Sequence, residues 1–189
     1  MIPLLVWGNH RISDKGFQDT FRELVNKQQR FNIPIFIINR PPVLRPLSDR
    51  EFIRQTLYSR PSVQVFVYGD REIRRDPTLK YAKERFLEII NIYLSRPKSV
   101  IVICVPIPND AYDLTYQELF GQFNHWLKAT VKNYSRVIPV SVNKRLNSRC
   151  YDSFTHLNLK GQQRLAQSLA KALFCIPKTI LGCPRNLKR

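Results

Sequence analysis

The side chains able to do chemistry are few, and cations surround them. Asp152 and His156 set a carboxylate four residues before an imidazole, the residue types that serve as orienter and base in nucleophilic catalysis. The other histidines are His10 and His125. His125 falls off the apolar stripe of its segment and is expected in solvent. The four cysteines, Cys104, Cys150, Cys175 and Cys183, form no CxxC pair, so no metal site is expected, and no cofactor motif is present. Cys104 lies inside the apolar run from Val100 to Val105 and reads as a buried thiol. A Cys175–Cys183 disulfide is conceivable, but a reducing compartment favours free thiols.

Thirty-one Lys and Arg against fourteen Asp and Glu give a net charge of +17. A surplus of that size creates a field that attracts polyanions, nucleic acid or anionic membrane above all. Arginine's planar fork suits phosphates and base faces. The candidate phosphate contacts are Arg11, Arg40, Arg45, Arg71, Arg74, Arg75, Lys144, Arg145 and Arg149, with Arg185, Lys188 and Arg189 at the end of the chain. Tyr68, Tyr151 and Phe154 could stack on unpaired bases, although core packing is favoured for Tyr68 and Phe154.

The elements that must position these residues alternate. Apolar, Val- and Ile-rich runs at 3–7, 33–38, 63–68, 99–105 and 137–142 read as strands buried on both faces. Between them lie helix-period segments. The first carries Phe17, Phe21, Leu24 and Val25, with Ser13 as a candidate cap. The second opens on the capping box Ser48–Glu51 and continues with Phe52 and Leu57. The third takes Asp76-Pro77 as cap and first-turn proline, and its stripe is Leu79, Ala82, Phe86, Ile89, Ile90 and Tyr93. The fourth runs from Tyr116 to Val131, and the last has Leu165, Leu169 and Leu173 behind the cap Asn158. Such alternation predicts an α/β domain, a five-stranded parallel sheet in three α/β/α layers. Residues 1–176 form one domain and 177–189 a basic C-terminal tail. With no apolar run of membrane-spanning length, the expected setting is soluble and cytoplasmic.

In a parallel sheet, ligands gather at the carboxyl ends of the strands. Those ends here are Gly8-Asn9-His10-Arg11, Asn39-Arg40, Gly69-Asp70-Arg71-Glu72, Pro106-Ile107-Pro108-Asn109 and Asn143-Lys144-Arg145, followed by Asp152 and His156. In order and placement these blocks resemble the SGNH (GDSL-type) esterases and lipases over residues 2–174. The resemblance implies their flavodoxin-like strand order. It also implies a vestigial hydrolase site at Gly8, Asn9, His10, Arg71, Asp152 and His156.

The family ends its first strand in Gly-Asp-Ser, where this chain has Gly8-Asn9-His10. An imidazole there cannot be the alkoxide that a second histidine activates. Arg71 replaces an oxyanion-holding asparagine, and the closing Asp-x-x-His is stretched by one residue. His156 is expected to hold loops together, and His10 either fills the pocket or stacks on a base. A degenerate domain of this kind with a basic surface is similar to the RNA-binding OSK-type domains of insect germ-plasm proteins. That resemblance implies no catalysis and the binding of messenger RNA, in single-stranded or 3′-untranslated regions. It further implies protein partners in a ribonucleoprotein granule and no membrane. The alternatives are an esterase with an atypical site, or a scaffold for an acidic protein.

Overall fold

The pleat explains how five short strands carry two different cores. In β3 (Val63–Val67) and β4 (Val100–Cys104) every residue is buried, so both faces of the sheet are covered. Successive side chains point to opposite faces. Val63, Val65 and Val67 join Val100, Val102 and Cys104 in one core, whereas Phe66, Ile101 and Ile103 enter the other. One face is thus paved with small valines and the other with larger isoleucine and aromatic side chains.

The computed structural model describes residues 4–8, 14–27, 35–39, 63–95, 99–107, 109, 114–142, 146–153 and 156–176; for 4, 5, 7, 8, 35–39 and 71 it describes the backbone alone. β1 (Leu4–Gly8), β2 (Ile35–Asn39) and β5 (Val137–Val140) complete a parallel sheet of order β2-β1-β3-β4-β5. Val6 pairs with Val65, and Val65 with Val102, which makes a row of valines across the sheet.

The helices sort by the size of what they meet. α1 (Lys15–Lys27) buries Phe17, Phe21 and Val25 at four-residue spacing on the valine face, with the two phenyl rings stacked 5.5 Å apart. The last helix, α5 (Leu159–Phe174), joins it there through Leu165, Ala166, Leu169 and Leu173. On the other face α3 (Lys80–Leu94) and α4 (Leu114–Val131) bury Phe86, Ile90, Tyr93, Phe120 and Phe123. A buried side chain of this size contributes about 1.5–3 kcal/mol, so truncating Phe86 or Phe123 would empty the aromatic core.

Two expectations need correction. The stretch between the third strand and Asp76-Pro77, for which the sequence offers no element, is helical: Gly69, at φ 105, turns the chain into the short helix α2 (Asp70–Arg75), whose Ile73 is fully buried. Asp76-Pro77, in turn, does not open the next helix. Leu79 adopts φ 61, a left-handed conformation that no α-helix can run through, so α3 begins at Lys80. Asp76 still acts as a cap from a distance, because its carboxylate accepts from the Tyr81 and Thr78 backbone N–H groups and from Thr78 Oγ1. Asn158 caps α5 as expected, accepting from the Gly161 N–H at 3.0 Å. Ser13 and the Ser48–Glu51 segment lie outside the described residues.

Candidate functional site

The chain leaves β1 for β2 on one side and returns to β3 on the other, which puts the topological switch point at the carboxyl ends of β1 and β3. Gly8 ends β1, and Tyr68-Gly69-Asp70 follows β3. A Cβ on Gly69 would meet Val105 at 3.1 Å and Ile73 at 3.2 Å, and its φ already excludes most side chains. Glycine therefore sets the sharp entry into α2 and fixes where Asp70 and Arg74 stand.

Asp70 is 5% exposed, and Arg74 Nε donates to its carboxylate at 3.2 Å. The Arg74 guanidinium also lies 4.5 Å above the Tyr116 ring. Arg74, expected as a phosphate contact, is thus turned inward onto a carboxylate and an aromatic face. Its neighbour Arg75 is exposed and lies 5.6 Å from the Tyr81 ring, which Arg85 approaches to 5.4 Å. The Glu88 carboxylate, hydrogen-bonded to Arg85, holds that guanidinium more firmly protonated than usual.

Two of the candidate stacking aromatics are structural. Tyr68 is 2% exposed and its hydroxyl donates to the Ala82 carbonyl; burial raises its phenol far above the ordinary range. Tyr151 is 8% exposed, and its hydroxyl donates to the Ile107 carbonyl in the segment that follows β4. Neither ring face is open to a base. Phe154 lies outside the described residues.

The block carrying Asp152 and His156 is shaped from below. The 3₁₀ turn η1 (Ser148–Cys150) meets the first turn of α5, where Asn158 donates from its backbone to the Cys150 carbonyl and from its side chain to the Arg149 carbonyl. An antiparallel bridge between Tyr151 and Leu157, with the Asp152 N–H donating to the His156 carbonyl at 3.0 Å, closes the loop. Asp152 and His156 are both exposed. His156 Nδ1 lies 3.2 Å from Ser153 Oγ.

Ser153 stands three residues before the histidine, where the SGNH block has its aspartate. A hydroxyl there can orient the ring, but it cannot lend the imidazolium the negative charge that a triad carboxylate does. Counting back three residues would have pointed to Ser153; the contact itself, like that of Tyr116 with Arg74, needs the fold.

Of the remaining expected residues, Arg149 is exposed on η1, and Arg71 and Gly8 are placed by backbone only, in α2 and at the end of β1. Asn9, His10, Arg11, Arg40, Arg45, Lys144, Arg145, Arg185, Lys188 and Arg189 lie outside the described residues. His125 is exposed, Cys104 and Cys150 are buried, Cys175 is exposed, and Cys183 lies outside the described residues. Among the described residues no group of His, Cys, Asp and Glu is arranged to hold a metal ion, and no helix is long and apolar enough to cross a membrane.

No family model and no curated protein sequence matches the chain. Solved structures do match. A member of the lipolytic G-D-S-L family from Veillonella parvula has a TM-score of 0.71 at 12% identity, covering 93% of this chain and 100% of its own. A carbohydrate esterase of family 3 from Talaromyces cellulolyticus gives 0.72 at 14% identity, covering 97% and 100%. A variant of an acetyl xylan esterase from Geobacillus stearothermophilus gives 0.65 at 14% identity, covering 91% and 94%. The chain has the α/β fold of the SGNH hydrolases.

Proposed function

We propose that the chain is a non-catalytic RNA-binding domain built on the SGNH hydrolase fold. The observation that carries this reading is a substitution at one place: Gly8-Asn9-His10 stands where these esterases end their first strand in Gly-Asp-Ser. Without that serine the fold keeps its carboxyl-edge site and lacks the nucleophile. The net charge of +17 supplies a reason for the fold to persist, since it attracts a polyanion rather than a neutral ester. In layout, charge and broken triad the chain resembles the C-terminal domain of Oskar, the insect germ-plasm organiser. Its RNA would be messenger RNA, in single-stranded or 3′-untranslated regions, bound in the cytoplasm within a ribonucleoprotein granule.

Cations hold the phosphates in this reading, and exposed residues of the expected set, Arg75 and Arg149 among them, are its first candidates. RNA crosslinking of the purified protein, mapped to residues, tests it. Crosslinks on basic segments support the reading, and their absence at low salt removes it.

A second reading has one observation in its favour. Ser153 Oγ and His156 Nδ1 are within the distance of a nucleophile and its base, on the fold of esterases. Turnover of a short-chain ester that both Ser153→Ala and His156→Ala abolish would replace the first reading with the second.

A further inference from the structure

The surplus charge is unevenly placed. Residues 63–118 hold eight cations and eight carboxylates, so the segment containing α2 and α3 is neutral as a whole. Residues 119–189 hold thirteen cations and a single carboxylate, Asp152. Within this part Arg136 has a structural role, donating to the Leu94 and Ser99 carbonyls beside the end of α3. α5 differs from every other long helix described. α1, α3 and α4 each carry Asp or Glu, and in α1 and α3 ion pairs form along the helix, Lys27 with Glu23 and Arg85 with Glu88. α5 has no carboxylate at all.

Its solvent face is Lys160, Gln163, Gln167 and Lys171, at spacings of three and four residues and all exposed. Opposite them Leu165, Leu169 and Leu173 anchor the helix in the core. Arg149, exposed on η1, stands near the helix start, where its carbonyl accepts from the Asn158 side chain. Lys160 to Lys171 spans about 16 Å of helix. Lys160 also sits in the first turn, where the helix already presents partial positive charge, an arrangement that an external anion relieves. Asn158 occupies the Gly161 N–H, and the contacts that the face offers are its side chains.

We infer that the η1–α5 face, with Arg149, Lys160 and Lys171 as phosphate contacts and Gln163 and Gln167 as hydrogen-bonding partners, is the principal RNA-binding surface. The inference rests on the RNA-binding reading and moves its centre from the α2 arginines to the other face of the sheet. RNA fits this face better than an acidic protein does. Cations at helical spacing over this length can follow a polyphosphate backbone, and the amides between them can donate to phosphate or pair with base edges.

The experiment compares two triple variants, each losing three positive charges, for binding a labelled single-stranded RNA over a range of salt. One is Arg149→Gln, Lys160→Gln, Lys171→Gln. The other, on α3 and at the end of α4, is Lys80→Gln, Lys128→Gln, Lys132→Gln, all exposed in the native chain. Thermal melting verifies that both fold. Loss of three phosphate contacts should lower the slope of log affinity against log salt by about 2, with affinity falling about tenfold or more, in the first variant only. Equal effects in both, or none in the first, overturn the location while wild-type binding still upholds the RNA reading. No wild-type binding removes that reading and this one together. If the first variant loses a polyglutamate peptide as strongly as RNA, the face serves an acidic protein and the inference fails.

Discussion

Replacing Gly161 by alanine tests the joint on which the basic face depends. A Cβ at this position would lie 2.2 Å from the Cys150 carbonyl oxygen and 3.0 Å from Leu157 Cδ2. The first obstacle is backbone and cannot swing aside, so α5 and η1 must separate. Separation breaks the Asn158 N–H bond to that same carbonyl and disturbs the Asn158 cap. Overpacking costs about 1–3 kcal/mol. A weakened cap adds about 1 kcal/mol. Alanine's better helix propensity returns about 1 kcal/mol. The net expectation is a loss of about 2 kcal/mol, or about 4–8 °C in melting temperature for a chain of this size.

Gly121, exposed in α4 with no neighbouring atom within 4 Å of where a Cβ would stand, is the internal control. Gly121→Ala should stabilise by about 0.5–1 kcal/mol. Thermal and denaturant unfolding of both variants reads the difference in sign. A Gly161→Ala protein as stable as the native chain would refute the close approach of α5 to η1.

Three further outcomes follow from the site. Gly69→Ala should cost about 1–2 kcal/mol, because φ 105 penalises a Cβ and Val105 and Ile73 crowd it; equilibrium unfolding checks this, and an unchanged midpoint would contradict it. Arg74→Gln should lose about 1–3 kcal/mol by breaking the bond to the buried Asp70, whereas Arg75→Gln leaves stability within about 0.5 kcal/mol; parallel denaturant titrations should separate the two. Asp76 has a lowered pKa because the Tyr81 N–H and the Thr78 hydroxyl favour its carboxylate. Its stabilising effect is complete above the ordinary value of 3.8 and is lost as pH falls through the lower folded value, so Asp76→Asn should flatten the acid limb of a stability–pH curve.

The inner strands were legible because burial on both faces favours apolar, β-branched residues, as in Val100 to Ile103 of β4. The edge strand β5, expected to be buried on both faces as well, buries only Val137 and exposes Pro139. The long helices were legible from stripes such as Phe120, Phe123 and Leu127. α2 was not, since six residues with one buried anchor, Ile73, give no period to read. The start of α3 was misplaced because Asp76 caps through a turn, across a left-handed Leu79 that nothing in the local sequence announces. At the site, residue types were visible and orientations were not. Arg74 and Tyr151 read as candidate ligands of RNA until their partners, Asp70 with Tyr116 and the Ile107 carbonyl, were brought to them by the fold.

The central claim, an SGNH fold that binds RNA in place of an ester, is tested most directly by the salt dependence of the native protein's affinity for single-stranded RNA. Four or more phosphate contacts predict a straight line of log affinity against log salt with a slope of about −3 or steeper. Binding that is flat with salt, or absent at about 50 mM where such contacts are strongest, would contradict it.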